Sequence, residues 1–155
     1  MIPLELLDAL VERVNDEVKN LLLKNINNAK VPVKVFPQHL PNKGKNNEDP
    51  YPCIIVRLAA GGLSDSNEPG VTTVQFIIGV VDRDSSNQGY RDAVNTANKI
   101  NESLHKNPVI ENRYELTLPI NWAYNDEDAE PYYFVGLETN WKTPEHIRED
   151  VEALI

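Results

Sequence analysis

The segment from Val71 to Asp82 constrains the fold more than any other part of the chain. Four alternate residues on one side of the predicted strand are apolar, and the other side adds two further apolar residues. A strand that is apolar on both faces is typical of a position inside a sheet, where other elements cover it. The sequence therefore predicts a β-sheet built around this strand. The apolar residues are Val74, Phe76, Ile78 and Val80 on the first side, with Ile77 and Val81 on the other.

Two amphipathic helices are predicted, one before and one after the first three strands. The first begins at Pro3, because the first helical turn does not use the N–H that proline lacks, and the asparagine-rich residues 25–28 end it. The second extends from about Asn87 to Lys106 and ends before Pro108. Apolar residues at steps of three and four give each helix one side to bury. The residues expected to be buried are Leu4, Leu7, Val11, Val14, Val18 and Leu21, widened by Leu22, Leu23 and Ile26, in the first helix, and Tyr90, Ala93, Val94, Ala97, Ile100 and Leu104 in the second.

Four further segments are predicted to be strands, namely Val31–Phe36, Cys53–Leu58 and the alternating runs 114–122 and 133–141. Alternation places Trp122 and Trp141 in the core, with Tyr132 and Phe134 on the opposite face of the sheet. The order of helix, three strands, helix and two strands predicts an α+β fold. We expect one mostly antiparallel sheet of about four to five strands, with two main helices packed on one face.

The length of 155 residues fits a single domain. We assign residues 1–144 to one α+β domain and residues 145–155 to a C-terminal helix or arm. Two connections, Pro37–Pro52 and Ala59–Gly70, are rich in turn-forming residues. A polar connection as long as the first is expected to be mobile or to bind a partner. We expect neither a cleaved leader nor an apolar run long enough to cross a bilayer. In the arm, one side carries Ile147, Val151, Leu154 and Ile155.

The charge balance argues against binding to the outside of a nucleic acid. The chain has 15 Lys and Arg residues against 24 Asp and Glu residues, which gives a formal net charge of −9. Proteins that bind DNA or RNA concentrate positive charge to displace counterions from the phosphates. An acidic surface instead suits a protein that DNA passes without sticking, because like charges repel.

The sequence carries no motif that is typical of a catalytic or cofactor-binding site. Asp82 and Asp84 alternate as ligands do in a calcium loop, but the sixth and twelfth positions hold Asn87 and Ala93 instead of Gly and Glu. The single cysteine, Cys53, lies in an apolar run that predicts a buried, unreactive thiol. Phosphate-binding glycine motifs and the serine nucleophile elbow do not occur. We therefore expect no enzyme activity, no cofactor and no metal.

Three stretches resemble the tail terminator proteins of long-tailed bacteriophages, a class of minor tail protein. They are residues 33–41 (VKVFPQHLP), residues 51–58 (YPCIIVRL) and residues 131–136 (PYYFVG), the last continuing to Trp141 and Pro144. The order of elements and the positions of the loops fit as well. The resemblance covers most of residues 1–144.

The resemblance implies a structural protein of the virion tail that is assembled in the host cytoplasm. Such proteins form a ring, usually a hexamer, on the end of the tail tube. There they stop polymerisation of the tube protein and present the face that meets the head-tail connector. It implies no catalysis, cofactor or membrane, and DNA is only passing cargo. The candidate interface residues are Pro37, Gln38, His39, Pro41, Asp65, Glu68, Tyr132 and Phe134; Asp65, Glu68, Asp126 and Asp128 are candidates to line the pore.

Three other interpretations stay open. A different neck or connector protein of the same particle would have a similar size and fold. From another class, a small metal-dependent hydrolase would use Asp82, Asp84 and nearby carboxylates. A nucleic-acid binder with an aromatic platform is disfavoured, because no basic residues are interleaved with the aromatic ones.

Overall fold

The computed structural model describes residues 2–41, 49–64, 67–84, 88–125 and 130–144. Within these ranges the chain forms two helices and eight strands. In chain order they are α1 (Leu4–Val18), β1 (Leu22–Lys24), β2 (Lys30–Pro32), β3 (Lys34–Pro37), β4 (Cys53–Gly62), β5 (Gly70–Val81), α2 (Gln88–Lys106), β6 (Val109–Ile110), β7 (Tyr114–Tyr124) and β8 (Tyr132–Thr143).

Six of the strands form one mixed sheet in the order β3-β4-β5-β8-β7-β6. The α+β class is confirmed, and β5 lies between β4 and β8, inside the sheet as predicted. The expected strand count was too low. Moreover, β3 pairs with β4 in parallel, whereas the other four pairings are antiparallel.

The core lies between the helices and one face of this sheet. Val74, Phe76, Ile78 and Val80 of β5 are all at most 1% exposed and belong to the same buried cluster as the apolar sides of both helices. On the other face, Ile77 is only half-buried. Both helices therefore cover the face that the sequence predicted to be the more apolar one.

The first helix is shorter than predicted, because it ends at Val18 and the chain then forms a β-hairpin of β1 and β2. Leu23 is buried and Leu22 is 48% exposed, which is the alternation of a strand. The Asn25 side chain accepts hydrogen bonds from the N–H groups of Asn27 and Ala29, at 2.9 and 3.0 Å, and so forms the turn. The asparagines thus close a hairpin instead of ending a helix.

The buried sides of the helices agree with the prediction at most positions, including Val14, Val18, Ile100 and Leu104, and differ at a few. In α1, Leu4 is 63% exposed, whereas Leu6 and Leu10 are fully buried. In α2, Tyr90 and Val94 are exposed, whereas the polar residues Thr96 and Ser103 are buried. Arg13 of α1 satisfies the polar groups of buried Ser103, because its Nε donates to the hydroxyl at 3.1 Å and its Nη2 donates to the carbonyl oxygen at 2.6 Å.

Three strand assignments are corrected as well. The predicted strand Val31–Phe36 is divided between β2 and β3, which belong to different sheets. The predicted turn after Leu58 is strand as far as Gly62, because Gly62 pairs with Val71 across a register shift after Leu58. Trp141 is fully buried as predicted, but Trp122 is 74% exposed. Trp122 does lie opposite buried Leu137, yet neither helix packs extensively against β7, so the described residues leave most of its ring exposed.

The one-sided core predicts unequal costs for two neighbouring truncations in β5. Phe76→Ala should lower the free energy of unfolding by about 3–5 kcal/mol, since it leaves a cavity in a filled core. Ile77→Ala is the matched control on the helix-free face, and it should cost about 1–2 kcal/mol because less apolar area is lost. Urea unfolding of the two variants measures both values. An equal loss for the two variants would contradict the assignment of the core to one face.

Candidate interaction site

An aromatic cluster lies on the helix-free face of the sheet, at the end where β5 stops and β8 starts. The register of these strands places Gly79 opposite Phe134 and Val81 opposite Tyr132. Tyr51, just before β4, packs over this point, with its ring centroid 4.9 Å from that of Tyr132 and 5.8 Å from that of Phe134. Edge-to-face and tilted contacts of this kind stabilise aromatic clusters beyond their burial.

Gly79 makes the position of Tyr51 possible. A Cβ atom at residue 79 would lie 2.5 Å from the Tyr51 ring and 3.1 Å from the Phe134 ring. No side chain fits there without displacing one of the rings.

Asp49 holds the cluster together by two hydrogen bonds. The phenol of Tyr132 donates to Oδ2 at 2.7 Å, and the backbone N–H of Tyr51 donates to Oδ1 at 2.9 Å. The hydrogen bond to the Asp49 carboxylate, followed by burial, raises the pKa of the Tyr132 phenol. Burial is the main reason that the pKa of Tyr51 is also raised.

The sequence predicted Tyr132 and Phe134 on this face but missed Tyr51 and Asp49. Tyr132 and Phe134 are half-buried in the structure, because residues of the same chain, including Tyr51, cover part of their rings. Their proposed role in an interface stays a prediction. A signal for the missed residues was present, since Gly79 inside a strand rich in β-branched residues indicates the close approach of another group.

Gln38 extends the pairing of β3 with β4 by one step. The residue adopts a left-handed backbone, with φ of 65°, and its N–H donates to the carbonyl oxygen of Val56 at 2.7 Å. Its side-chain amide then pairs with the backbone of Leu58, donating to the carbonyl oxygen and accepting from the N–H, both at 2.9 Å. The amide thus occupies the place of another strand residue. The neighbouring candidates Pro37, His39 and Pro41 are exposed.

Two edges of the main sheet lack a neighbour among the described residues. Beyond Leu58 no described strand pairs with the outer side of Ala59–Gly62, which we call the β4 edge. At the other side of the sheet, β6 pairs with β7 only at Tyr114 and Glu115. The outer side of Thr117–Tyr124, which we call the β7 edge, therefore has no described partner. Unpaired edges of this length are sites where another strand adds.

The remaining candidate residues do not gather around the cluster. Glu68 is exposed just before β5, whereas Tyr132 lies opposite the last residue of that strand. Twelve residues of β5 separate the two positions, which is roughly 37 Å along an antiparallel strand. Asp65, Asp126 and Asp128 lie outside the described residues.

The two carboxylates of the hydrolase interpretation face a lysine. Lys24 Nζ is 3.8 Å from Asp82 Oδ1 and 3.8 Å from Asp84 Oδ2. Asp82 is 2% exposed, and its Oδ1 also accepts the N–H of Asp84 at 2.9 Å. The ammonium group balances part of the negative charge of the two carboxylates, whereas the buried Oδ2 of Asp82 has no hydrogen-bond partner among the described residues. Within the described part of the chain, no three His, Cys, Asp or Glu side chains are grouped as metal ligands would be.

Cys53 is buried, as predicted. Its side chain is 2% exposed, and burial, followed by the charge of Asp49, raises the pKa of the thiol to about 12. At neutral pH the thiolate population is therefore very small.

Comparisons with known proteins add no relative to this description. The sequence matches no protein-family model, and a search of curated proteins gives no significant match. Neither described helix is long and apolar enough to cross a membrane.

The contact between Tyr132 and Asp49 predicts a measurable change in tyrosine ionisation. Asp49→Asn keeps a hydrogen-bond acceptor but removes the charge, so the pKa of Tyr132 should fall toward its ordinary value of about 10. Ultraviolet titration of tyrosinate, with and without Tyr132→Phe, isolates this group. Asp8→Asn, on the exposed side of α1, is the control and should leave the titration unchanged.

The raised pKa of Tyr132 also determines how its contribution to the free energy of unfolding changes with pH. The stability that this phenol contributes is fully present below pH ~10 and is lost as the pH rises through the folded-state pKa. The stability difference between the native chain and Tyr132→Phe should therefore narrow at alkaline pH. An Asp49→Asn protein that titrates like the native chain would contradict the contact.

Proposed function

We propose that this chain is a structural protein that caps the tail tube of a long-tailed bacteriophage as a ring. In this role it ends tube polymerisation and forms the surface to which the head joins. The observation that supports the proposal beyond the resemblance is that one sheet has two unlike edges without a described partner, the β4 edge and the β7 edge. Unlike edges join identical subunits head to tail, and such contacts close into a ring when the rotation between subunits permits it.

The β7 edge has the composition of a contact surface. Leu118 and Trp122 are each 74% exposed. No charged residue occurs from Leu116 to Tyr124, although charged side chains are a common means of keeping a free edge from pairing. A large aromatic side chain beside unpaired backbone groups supports a protein partner at this edge.

The charge of the chain supports the passage of DNA without binding. With a net charge of −9, a ring of identical subunits repels the phosphate backbone. Glu68 is exposed and is the described member of the acids proposed to face the pore. The partners in this proposal are other copies of the chain, the tail tube protein and the head-tail connector protein, with no cofactor and no catalysis. The pairing of Asp82 and Asp84 with Lys24 gives the hydrolase alternative no support.

The proposal predicts an oligomer that depends on the β7 edge. Light scattering after gel filtration, over a wide range of concentrations, should give the mass of a closed oligomer, with a hexamer favoured. The double variant Leu118→Asp and Trp122→Asp should be monomeric with an unchanged circular dichroism spectrum, because both residues are exposed.

Val94→Asp is the matched control for this experiment. Val94 is an exposed apolar residue of α2, away from the sheet edges, so its variant should keep the native mass. If the double variant assembles like the native chain, the β7 edge is not the subunit contact. A native chain that is monomeric at every concentration, and stays so when tail tubes are added, contradicts the ring.

The length of tail tubes tests the function itself. Purified tube protein should polymerise to variable, extended lengths alone and to shorter, capped tubes when this chain is added. The Leu118→Asp and Trp122→Asp variant should fail to cap. Tubes that stop at normal length without this chain would overturn the proposal. Tubes that grow past normal length in its presence would assign the chain to the neck or connector instead.

A further inference from the structure

An apolar groove lies at the opposite end of the sheet from the aromatic cluster. Its volume is about 380 Å³, and it is bounded by the residues before α1, the end of β4 and the start of β5. Three of its lining residues are large and apolar yet exposed, with Ile2 at 74%, Leu63 at 51% and Val71 at 44%. None of its described lining residues is charged. Apolar side chains gathered around a concave surface are favourable to cover.

The end of β8 forms part of the groove wall. The last strand, β8, ends at Thr143, which pairs with Gly70. Thr143 and the next residue, Pro144, both line the groove. Residues 145–155, which follow Pro144 in the sequence, lie outside the described part of the chain.

Residues 145–155 would have one apolar side if they formed an α-helix, and that side would suit an apolar groove. At 100° per residue of an α-helix, Ile147, Val151 and Leu154 fall on one side. Glu149 falls on the opposite side, and Glu152 lies next to it. A segment with this pattern can bury its apolar side and leave Glu149 and Glu152 in water, with Asp150 at the border between the two sides.

The distances are also compatible. Ile147 is three residues beyond Pro144, so its Cα atom is at most about 11 Å from that of Pro144. A helix from residue 147 to 155 is about 12 Å long. Because the segment is attached at the groove, its effective concentration there is in the millimolar range or higher, which favours its own groove over that of another molecule.

We propose that residues 145–155 dock into the groove of their own chain, with Ile147, Val151 and Leu154 covering Ile2, Leu63 and Val71. The docked segment would cover the exposed apolar residues at this end of the sheet. The docking does not depend on the proposed function, since it concerns the isolated chain.

Disulfide trapping tests the docking in the full-length chain. Leu63→Cys is combined with Val151→Cys in one protein and with Glu149→Cys in the matched control. Since a disulfide needs Cα atoms within roughly 4.4–6.8 Å, the first pair should oxidise at least about tenfold faster than the second. The native Cys53 does not interfere, because it is 2% exposed and its pKa is raised to about 12.

The products distinguish the possible occupants. A denaturing gel without reductant should show a cross-linked monomer, which is the expected result. Equal rates for the two pairs, or no cross-link for either, would overturn the proposal. A cross-linked dimer as the main product would also overturn it, because the groove would then hold the segment of another copy.

Hydrogen exchange provides a second readout that needs no cysteine. The variant Val151→Asp with Leu154→Asp should release the segment and raise amide exchange in residues 59–63 several-fold. Glu149→Gln is the control and should leave this exchange unchanged. Unchanged exchange in the double variant would contradict the docking even if the cysteine proteins failed to fold.

Discussion

The uninterrupted pairing of β5 with β8 determines where every surface of interest lies. It extends over twelve residue pairs, from Gly70 opposite Thr143 to Val81 opposite Tyr132, without a register shift. Since side chains alternate along each strand, this one register sends Phe76 and Leu137 to the helices and Phe134 to the other face. A hydrogen-bond chain secures it inside the core, where the Trp141 indole donates to Thr139 and the Thr139 hydroxyl donates to the carbonyl oxygen of Val74.

The two ends of this pair have different surroundings, although their backbones are alike. At one end, Gly79 leaves room for Tyr51, and the chain covers its own aromatic residues with the help of Asp49. At the other end, the strands finish at a groove whose exposed apolar residues have no described cover. Burial of apolar area drives both folding and association, so an end that is already covered is a weaker docking surface than an end that is not.

The sequence predicted what periodicity determines and missed what long-range contacts determine. The apolar run of β5 fixed its central position, because few other environments suit a strand of that composition. The predicted end of α1 was wrong, because the apolar spacing of residues 22–24 fits a helix as well as a strand. These residues form a strand because they pair with residues 30–32. Trp122 was placed on the correct side by alternation, but its exposure depends on where the helices end, which alternation does not encode. Tyr51 was missed because its partners are about 80 residues away in the chain.

Only part of each sheet edge is protected from pairing with another strand, and the parts that are not protected are the candidate contacts between subunits. Gln38 pairs its amide with both backbone groups of Leu58, so the chain has a means of satisfying an exposed edge. That protection stops at Leu58, and the following residues to Gly62 have no described neighbour on their outer side. On the β7 edge, Pro119 is the only residue of a type that discourages pairing, and Trp122 stands three residues beyond it. Among the described residues, the β4 edge beyond Leu58 and the β7 edge apart from Pro119 carry no such protection, and edges of this kind favour aggregation in a monomer. In the ring that we propose, each such edge would meet the unlike edge of the next subunit, so that the two edges would satisfy each other.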